Sequence, residues 1–202
     1  MSGRCRAWHG ALSGAVAFLS GAVLLGLEIV ASRVLAPWFG TSVHVWGSLI
    51  SVFLLALSLG YALGGILADR RPSFRGLAEV LLGASLLVLL IPFISFPVGR
   101  WIADLDLDFR VAVLFAAATF FLAPSILMGM VSPYVIRLTA SRIEAVGRTA
   151  GAIYCVSTVG SIAGALVVSF YLIPILGTLA ILVASASLLF FAALLCFLAE
   201  YL

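Results

Sequence analysis

Charge is scarce in this chain. Of its 202 residues only 9% are Asp, Glu, Lys or Arg, whereas a water-soluble domain carries roughly a quarter. That scarcity excludes a soluble surface, because too few ionised groups are present to solvate it. Lysine is missing altogether, so all eleven basic residues are arginines. Cysteine is sparse and scattered: Cys5, Cys155 and Cys196 show no CxxC or Cys/His spacing, which argues against a zinc site or a redox pair. Cys155 and Cys196 lie in apolar runs and read as small apolar side chains. Catalytic signatures are lacking too. There is no HExxH, GxSxG, Walker loop or Rossmann fingerprint. Intramembrane hydrolysis would need a Ser/His or paired-Asp constellation, and no apolar run holds a deep histidine or an aspartate pair. The expectation is a non-enzyme with no cofactor and no metal. The net charge of +3 comes from arginines placed between apolar runs, a pattern of membrane orientation rather than of nucleic-acid binding.

Apolar residues are what the sequence has in abundance: 64% of the chain, with a mean hydropathy of +1.30. They gather into six runs, at about 11–34, 43–67, 77–98, 111–136, 150–176 and 179–198. A helix needs about 20 apolar residues to cross the hydrocarbon core of a bilayer. The runs are long and do not alternate, and only helices and closed barrels satisfy their backbone in lipid. The fold class expected is therefore an all-α integral membrane protein, one domain of six transmembrane helices. Arg4 and Arg6 before the first run imitate a signal peptide, but that run is too long and no small-x-small cleavage site closes it, so it reads as a retained first span.

Arginine placement predicts orientation. Arg4, Arg6, Arg70, Arg71, Arg75, Arg137, Arg142 and Arg148 fall on one side, while Arg100 and Arg110 fall on the other, with Arg33 near that second surface. The arginine-rich side is expected to be cytoplasmic, with both termini inside a cell membrane and Asp104, Asp106 and Asp108 outside. The second run carries Ser58-Leu-Gly60-Tyr-Ala-Leu-Gly64-Gly65 and the fifth carries Ser157-Thr-Val-Gly160-Ser-Ile-Ala-Gly164-Ala165. Both contain GxxxG followed by a small residue, three spans apart and thus in opposite orientations. The pattern reads either as a three-plus-three inverted repeat of the transporter kind or as ordinary close helix packing.

Glu28 is the sharpest single feature. A carboxylate inside a span is costly unless it faces protein, water or a partner, so it is either a cation or proton site or a structural carboxyl. Arg33 lies about 140° around the same helix, too far for an intrahelical pair, and is a candidate gate residue or anion contact near the outer end. His44, beside Trp46 at the entry to the second span, is a candidate substrate contact or pH sensor, or simply an interfacial polar group. Tyr61 and Tyr154 offer intramembrane hydroxyls. Pro124, Pro133 and Pro174 are expected to interrupt their helices. Glu79 and Glu200 lie near the inner ends and reach water.

Leu27-Glu-Ile-Val-Ala-Ser-Arg33-Val-Leu-Ala-Pro37-Trp-Phe-Gly40, then Val45-Trp46, then Gly60-Tyr-Ala-Leu-Gly-Gly65-Ile-Leu-Ala-Asp69-Arg70, together with Gly151-Ala-Ile-Tyr154 and Ile173-Pro174-Ile-Leu-Gly177, resemble the membrane region of spermidine-synthase-like membrane proteins. These are fusions of a major facilitator half to a spermidine synthase. The resemblance implies one half of a major facilitator fold, and a polyamine or other small cation as substrate. Gly65-Ile-Leu-Ala-Asp69-Arg70 is similar to the cytoplasmic signature between the second and third helices of major facilitators, which implies an inner-gate role for Asp69 and Arg70, although Pro72-Ser-Phe departs from that signature. A synthase domain does not follow the sixth span in these 202 residues. The expectation is a half-sized transporter in the bilayer acting as a homodimer, with Glu28, Arg33, His44, Tyr61 and Tyr154 along its pathway. The alternatives are a non-catalytic scaffold or accessory subunit, or the membrane module of a separate soluble synthase-like partner.

Overall fold

The computed structural model describes residues 3–140 and 146–201, with side chains from Trp8 onward. Six helices in it are long and apolar enough to cross a membrane. They are α1 (Gly3–Phe39), α2 (Val43–Arg70), α3 (Phe74–Ala103), α4 (Phe109–Thr139), α5 (Val146–Ile175) and α6 (Thr178–Ala199). The protein is an all-helical, multi-pass membrane bundle. Most helices extend a few residues past the apolar runs, so polar ends such as Asp69-Arg70 stay helical where headgroups and water can solvate them.

Local chemistry sets the turns. Gly40 ends α1 with φ 66° and donates its N–H to Ala36 O at 2.9 Å, a left-handed stop that glycine adopts without a Cβ clash. Ser73 caps α3 by accepting from Gly76 N at 3.0 Å, and Asp108 caps α4 by accepting from Arg110 N at 2.9 Å. The fully buried Tyr134 of α4 donates its hydroxyl to Arg71 O and so pins the α2–α3 turn. His9 Nε2 lies 3.4 Å from Ala199 O, which brings the start of α1 and the end of α6 to one end of the bundle. Arg70, Arg71, Arg75, Arg137 and Arg148 are at that same end. Arg100 and Arg110 are at the other, with Asp104, Asp106 and Asp108. The side chains of Arg4, Cys5 and Arg6, and all of Arg142, lie outside the described residues.

Three helix pairs dominate the packing: α1 with α5, α2 with α4, and α3 with α6. In a second tier, α1 packs on α6 and α4 packs on α3. The first two pairs close through glycine. A Cβ placed on Gly160 or Gly164 would run into the backbone carbonyls of Phe18 or Ala22, and one on Gly26 would sit 3.0 Å from Val168 Cγ2. Each four-residue step on α1 is matched by four on α5, so the two run parallel. On α2, a Cβ at Gly64 would lie 2.6 Å from Met130 Cα, and one at Gly60 would meet Ile126 O and Gly129 of α4. Within the apolar spans, Ser85 Oγ donates to Ala186 O at 2.8 Å between α3 and α6, and Ser161 Oγ donates to Gly21 O at 3.1 Å between α5 and α1.

Among the described residues, two π-helical stretches interrupt the regular hydrogen bonding, Ala118–Leu122 in α4 and Val168–Leu172 in α5. Pro124 and Pro174 follow them at the same spacing, in Phe120-Phe-Leu-Ala-Pro124 and Phe170-Tyr-Leu-Ile-Pro174. A proline ring clashes with the carbonyl four residues earlier and offers it no N–H. The wider turn moves that carbonyl, of Phe120 or Phe170, out of the way. Pro133 behaves differently: it lies inside an uninterrupted α-helical stretch, Ala123–Thr139.

Candidate functional site

The two GxxxG helices are the least covered by the bundle. The α5 helix buries only Ile153, Gly160, Gly164 and Val168, a single stripe against α1. The α2 helix buries a stripe through Val45, Leu49, Val52, Ala56, Gly60 and Gly64. The remaining faces of both helices are open and carry hydroxyls: Ser51, Ser58 and Tyr61 on α2, Tyr154 and Thr158 on α5, all exposed. The two helices meet at Tyr61 and Tyr154, whose rings stand edge to face with centroids 6.4 Å apart and planes 77° apart. The structure thus joins two of the residues singled out from the sequence, 93 positions apart.

Glu28 stands two turns along α1 from Gly21 and within about 20° of the same face. Gly21 abuts the backbone and hydroxyl of Ser157 and the hydroxyl of Ser161 on α5. Glu28 is half-buried, and none of the ion pairs among the described residues involves it. Extending the parallel pairing of α1 and α5 sets Glu28 level with the π-helical stretch Val168–Leu172. The same pairing sets Tyr154 level with Leu12. Sixteen residues of α1 therefore separate the carboxylate from the tyrosine pair, about 24 Å along the helix axis at 1.5 Å per residue. The tyrosines are in the half of the bundle nearer the arginine-rich end, and Glu28 is in the other half.

Arg33 is not part of this face. It lines a cavity of about 290 Å³ with Trp38 of α1, Pro92, Ser95 and Phe96 of α3, and Thr178 and Leu182 of α6. The helix α1 thus presents Glu28 and Arg33 to different surroundings, as their angular separation predicts. His44 is at the start of α2, where its ring stands edge-on to Phe109 at 6.2 Å. Neither residue is brought to Tyr61 and Tyr154.

At the arginine-rich end, Arg137 Nε donates to Asp69 Oδ1 at 2.9 Å. The partner of Asp69 is thus the last-turn arginine of α4. Arg70, adjacent in sequence, is exposed and forms none of the ion pairs among the described residues. Glu79 pairs with Arg75 at 3.3 Å and Glu200 accepts from Arg75 N at 3.1 Å, both exposed. Sequence reasoning missed two residues that matter here, Arg137 as the partner of Asp69 and Tyr134 as the clasp on the α2–α3 turn. No spacing rule connects α4 to α2 across 68 positions. The repeated Phe-aromatic-Leu-x-Pro segment was legible, and would have distinguished Pro124 and Pro174 from Pro133. Among the described residues, no three His, Cys, Asp or Glu side chains are grouped to share a metal ion.

No family model matches this sequence, and no curated protein or solved structure does either.

Proposed function

We propose that this six-helix unit is one half of a major-facilitator-like transporter, and that two copies face each other across their α2 and α5 faces to enclose the pathway. The observation that carries the reading is the packing of the helices. Exchanging the first three helices for the last three turns α1–α5 into α4–α2, α3–α6 into itself, and α1–α6 into α4–α3. All of these are pairs that pack. The GxxxG of α2 meets α4 and the GxxxG of α5 meets α1, which are equivalent interfaces under that exchange. This supports a three-plus-three inverted repeat of the transporter kind.

The open, hydroxyl-bearing face of α2 and α5 supports a second copy as the missing wall. In this reading Glu28 is the cation contact, because a carboxylate inside a span is retained where it meets water or a positive charge. A small amine, with polyamines first, suits such a group. Tyr61 and Tyr154 form a constriction on the arginine-rich side of it, and Asp69 with Arg137 ties the α2 and α4 ends beyond. The arginine-rich end is cytoplasmic by the positive-inside rule, in a cell membrane with both termini inside.

The test is counterflow of labelled spermidine into proteoliposomes holding the wild-type chain or Glu28→Gln, against empty vesicles. Saturable exchange by the wild type that Glu28→Gln loses while keeping its elution profile and thermal stability is the expected result. Exchange no greater than in empty vesicles would remove polyamines as substrate and favour an accessory-subunit role.

A further inference from the structure

We infer that the cavity between α1, α3 and α6 is a phospholipid site in which Arg33 holds the lipid phosphate. The inference stands apart from the proposed transport reading and uses a different side of α1. Arg33 lies six residues before the end of α1 at Phe39, at the end of the bundle opposite the arginine-rich one, which is headgroup depth for a helix that spans the bilayer. Its guanidinium has five N–H donors in a planar fork. The other side chains of the cavity include no carboxylate to receive them. Of the acids at this end, Asp104 lies 3.9 Å from Arg100, and Asp108 caps α4. Arg33 forms none of the ion pairs among the described residues. Arg33 is exposed at the mouth of this cavity, so its charge is open to an anion, and a phosphodiester matches the guanidinium fork in two parallel hydrogen bonds.

The walls specify the rest of the ligand. Phe96, Pro92 and Leu182 are apolar, as is Trp38 apart from its indole N–H, and Ser95 and Thr178 add hydroxyls. Ser95 Oγ is already engaged with Pro92 O at 3.3 Å. Phe96 and Leu179 are widely exposed on the perimeter of the bundle, so the cavity opens sideways into lipid. A soluble anion has no use for such walls, whereas an acyl chain does. At about 290 Å³ the cavity has room for a phosphate and the first carbons attached to it. Indole rings favour this interfacial depth, and Trp38 stacks edge-on with Phe96 at 5.9 Å to form one side of the opening.

Native mass spectrometry of the detergent-released protein titrated with phosphatidylglycerol tests the inference directly. The wild type and the control variant Arg110→Gln are expected to retain one more lipid per chain than Arg33→Gln at equal lipid, with at least a tenfold difference in apparent affinity. Millimolar glycerol phosphate is expected not to displace it. A second measurement leaves Arg33 in place: in a chain with Trp8, Trp46 and Trp101 replaced by Phe, phosphatidylglycerol with brominated acyl chains is expected to quench Trp38 at a lower mole fraction than a brominated diacylglycerol does. Equal retention by wild type and Arg33→Gln, or equal quenching by the two brominated lipids, would overturn the site. Displacement by glycerol phosphate would assign the cavity to a soluble anion and overturn the lipid as its occupant.

Discussion

Tyr154 of α5 stands edge-on to Tyr61 of α2, and this contact of centroids 6.4 Å apart joins the two helices that the bundle covers least. Aromatic pairs of this geometry contribute about 0.5–1.5 kcal/mol beyond their buried area. Replacing either tyrosine by Phe keeps the ring pair and is expected to leave stability unchanged. Replacing either by Ala removes it, and the double Ala variant is expected to be destabilised by less than the sum of the two single changes. A double-mutant cycle by thermal unfolding in detergent measures the coupling. If the pair closes one end of a pathway, each Ala variant also raises passive leak of a trapped cation from proteoliposomes, and neither Phe variant does.

Glycine substitutions separate packing positions from free ones. At Gly160 and Gly164 a methyl group meets the carbonyl of Phe18 or Ala22, and at Gly64 it meets Met130 Cα at 2.6 Å, all backbone that cannot rotate away. Gly65 and Gly151 have open space at the same location. Ala at Gly64, Gly160 or Gly164 is expected to destabilise by about 1–3 kcal/mol, the usual cost of overpacking. Ala at Gly65 or Gly151 is expected to stay within about 0.5 kcal/mol of wild type. Thermal midpoints of the five variants in one detergent check the pattern, and a uniform loss across all five would contradict it.

The contrast between these glycines shows how far the sequence could be read. Six spans are local facts, because an apolar run of sufficient length has no other stable use in lipid, and all six helices lie where the runs do. The GxxxG pairs on α2 and α5 were visible as packing motifs, but their partners were not. That Gly160 meets Phe18, rather than a residue of α4 or α6, depends on how whole helices are arranged. Glu28 and Arg33 could be assigned to different faces of α1 by counting, and the structure keeps them apart. The cavity that receives Arg33 is built from three helices whose relation no spacing encodes. Asp69 is the plainest case: the signature implies an inner-gate role for Asp69 and Arg70 together and names no partner on another helix, whereas Asp69 pairs with Arg137 because α2 and α4 run side by side.

Ser85 offers a measure of polar contacts in the lipid-embedded core. Its hydroxyl is buried and donates to Ala186 O at 2.8 Å, across the α3–α6 pair. Interhelical hydrogen bonds in membranes average about 0.6 kcal/mol, with a maximum near 1.7. Ser85→Ala removes the donor at little change in volume and is expected to lose stability within that range. Ser187→Ala, where the hydroxyl bonds only within its own helix to Val183 O at 2.8 Å and is exposed, is expected to lose less. Steric-trap or thermal unfolding of the two variants distinguishes them, and a larger loss at Ser187 would mean that helix-to-helix bonding is not what Ser85 contributes.

Asp69 and Arg137 are well suited to a test of function apart from stability. Their side chains are 73% and 50% exposed, so water and salt screen the pair and its contribution to folding is expected to stay within about 0–1 kcal/mol. Asp69→Asn is therefore expected to shift the thermal midpoint little. What the pair does is tie the last turn of α4 to the last turn of α2, one on each side of the proposed repeat. If those ends must part for the pathway to open on the arginine-rich side, then Asp69→Asn and Arg137→Gln change exchange rates in the same direction and to a similar extent. The swap Asp69→Arg with Arg137→Asp restores the attraction in reverse and is expected to return the rate towards wild type. Arg70→Gln, which removes a positive charge next to Asp69 but breaks none of the described ion pairs, is expected to do neither. Raising ionic strength is expected to bring wild type towards the single variants. Rates that follow Arg70 rather than Arg137 would assign the gate to the signature and not to the observed pair.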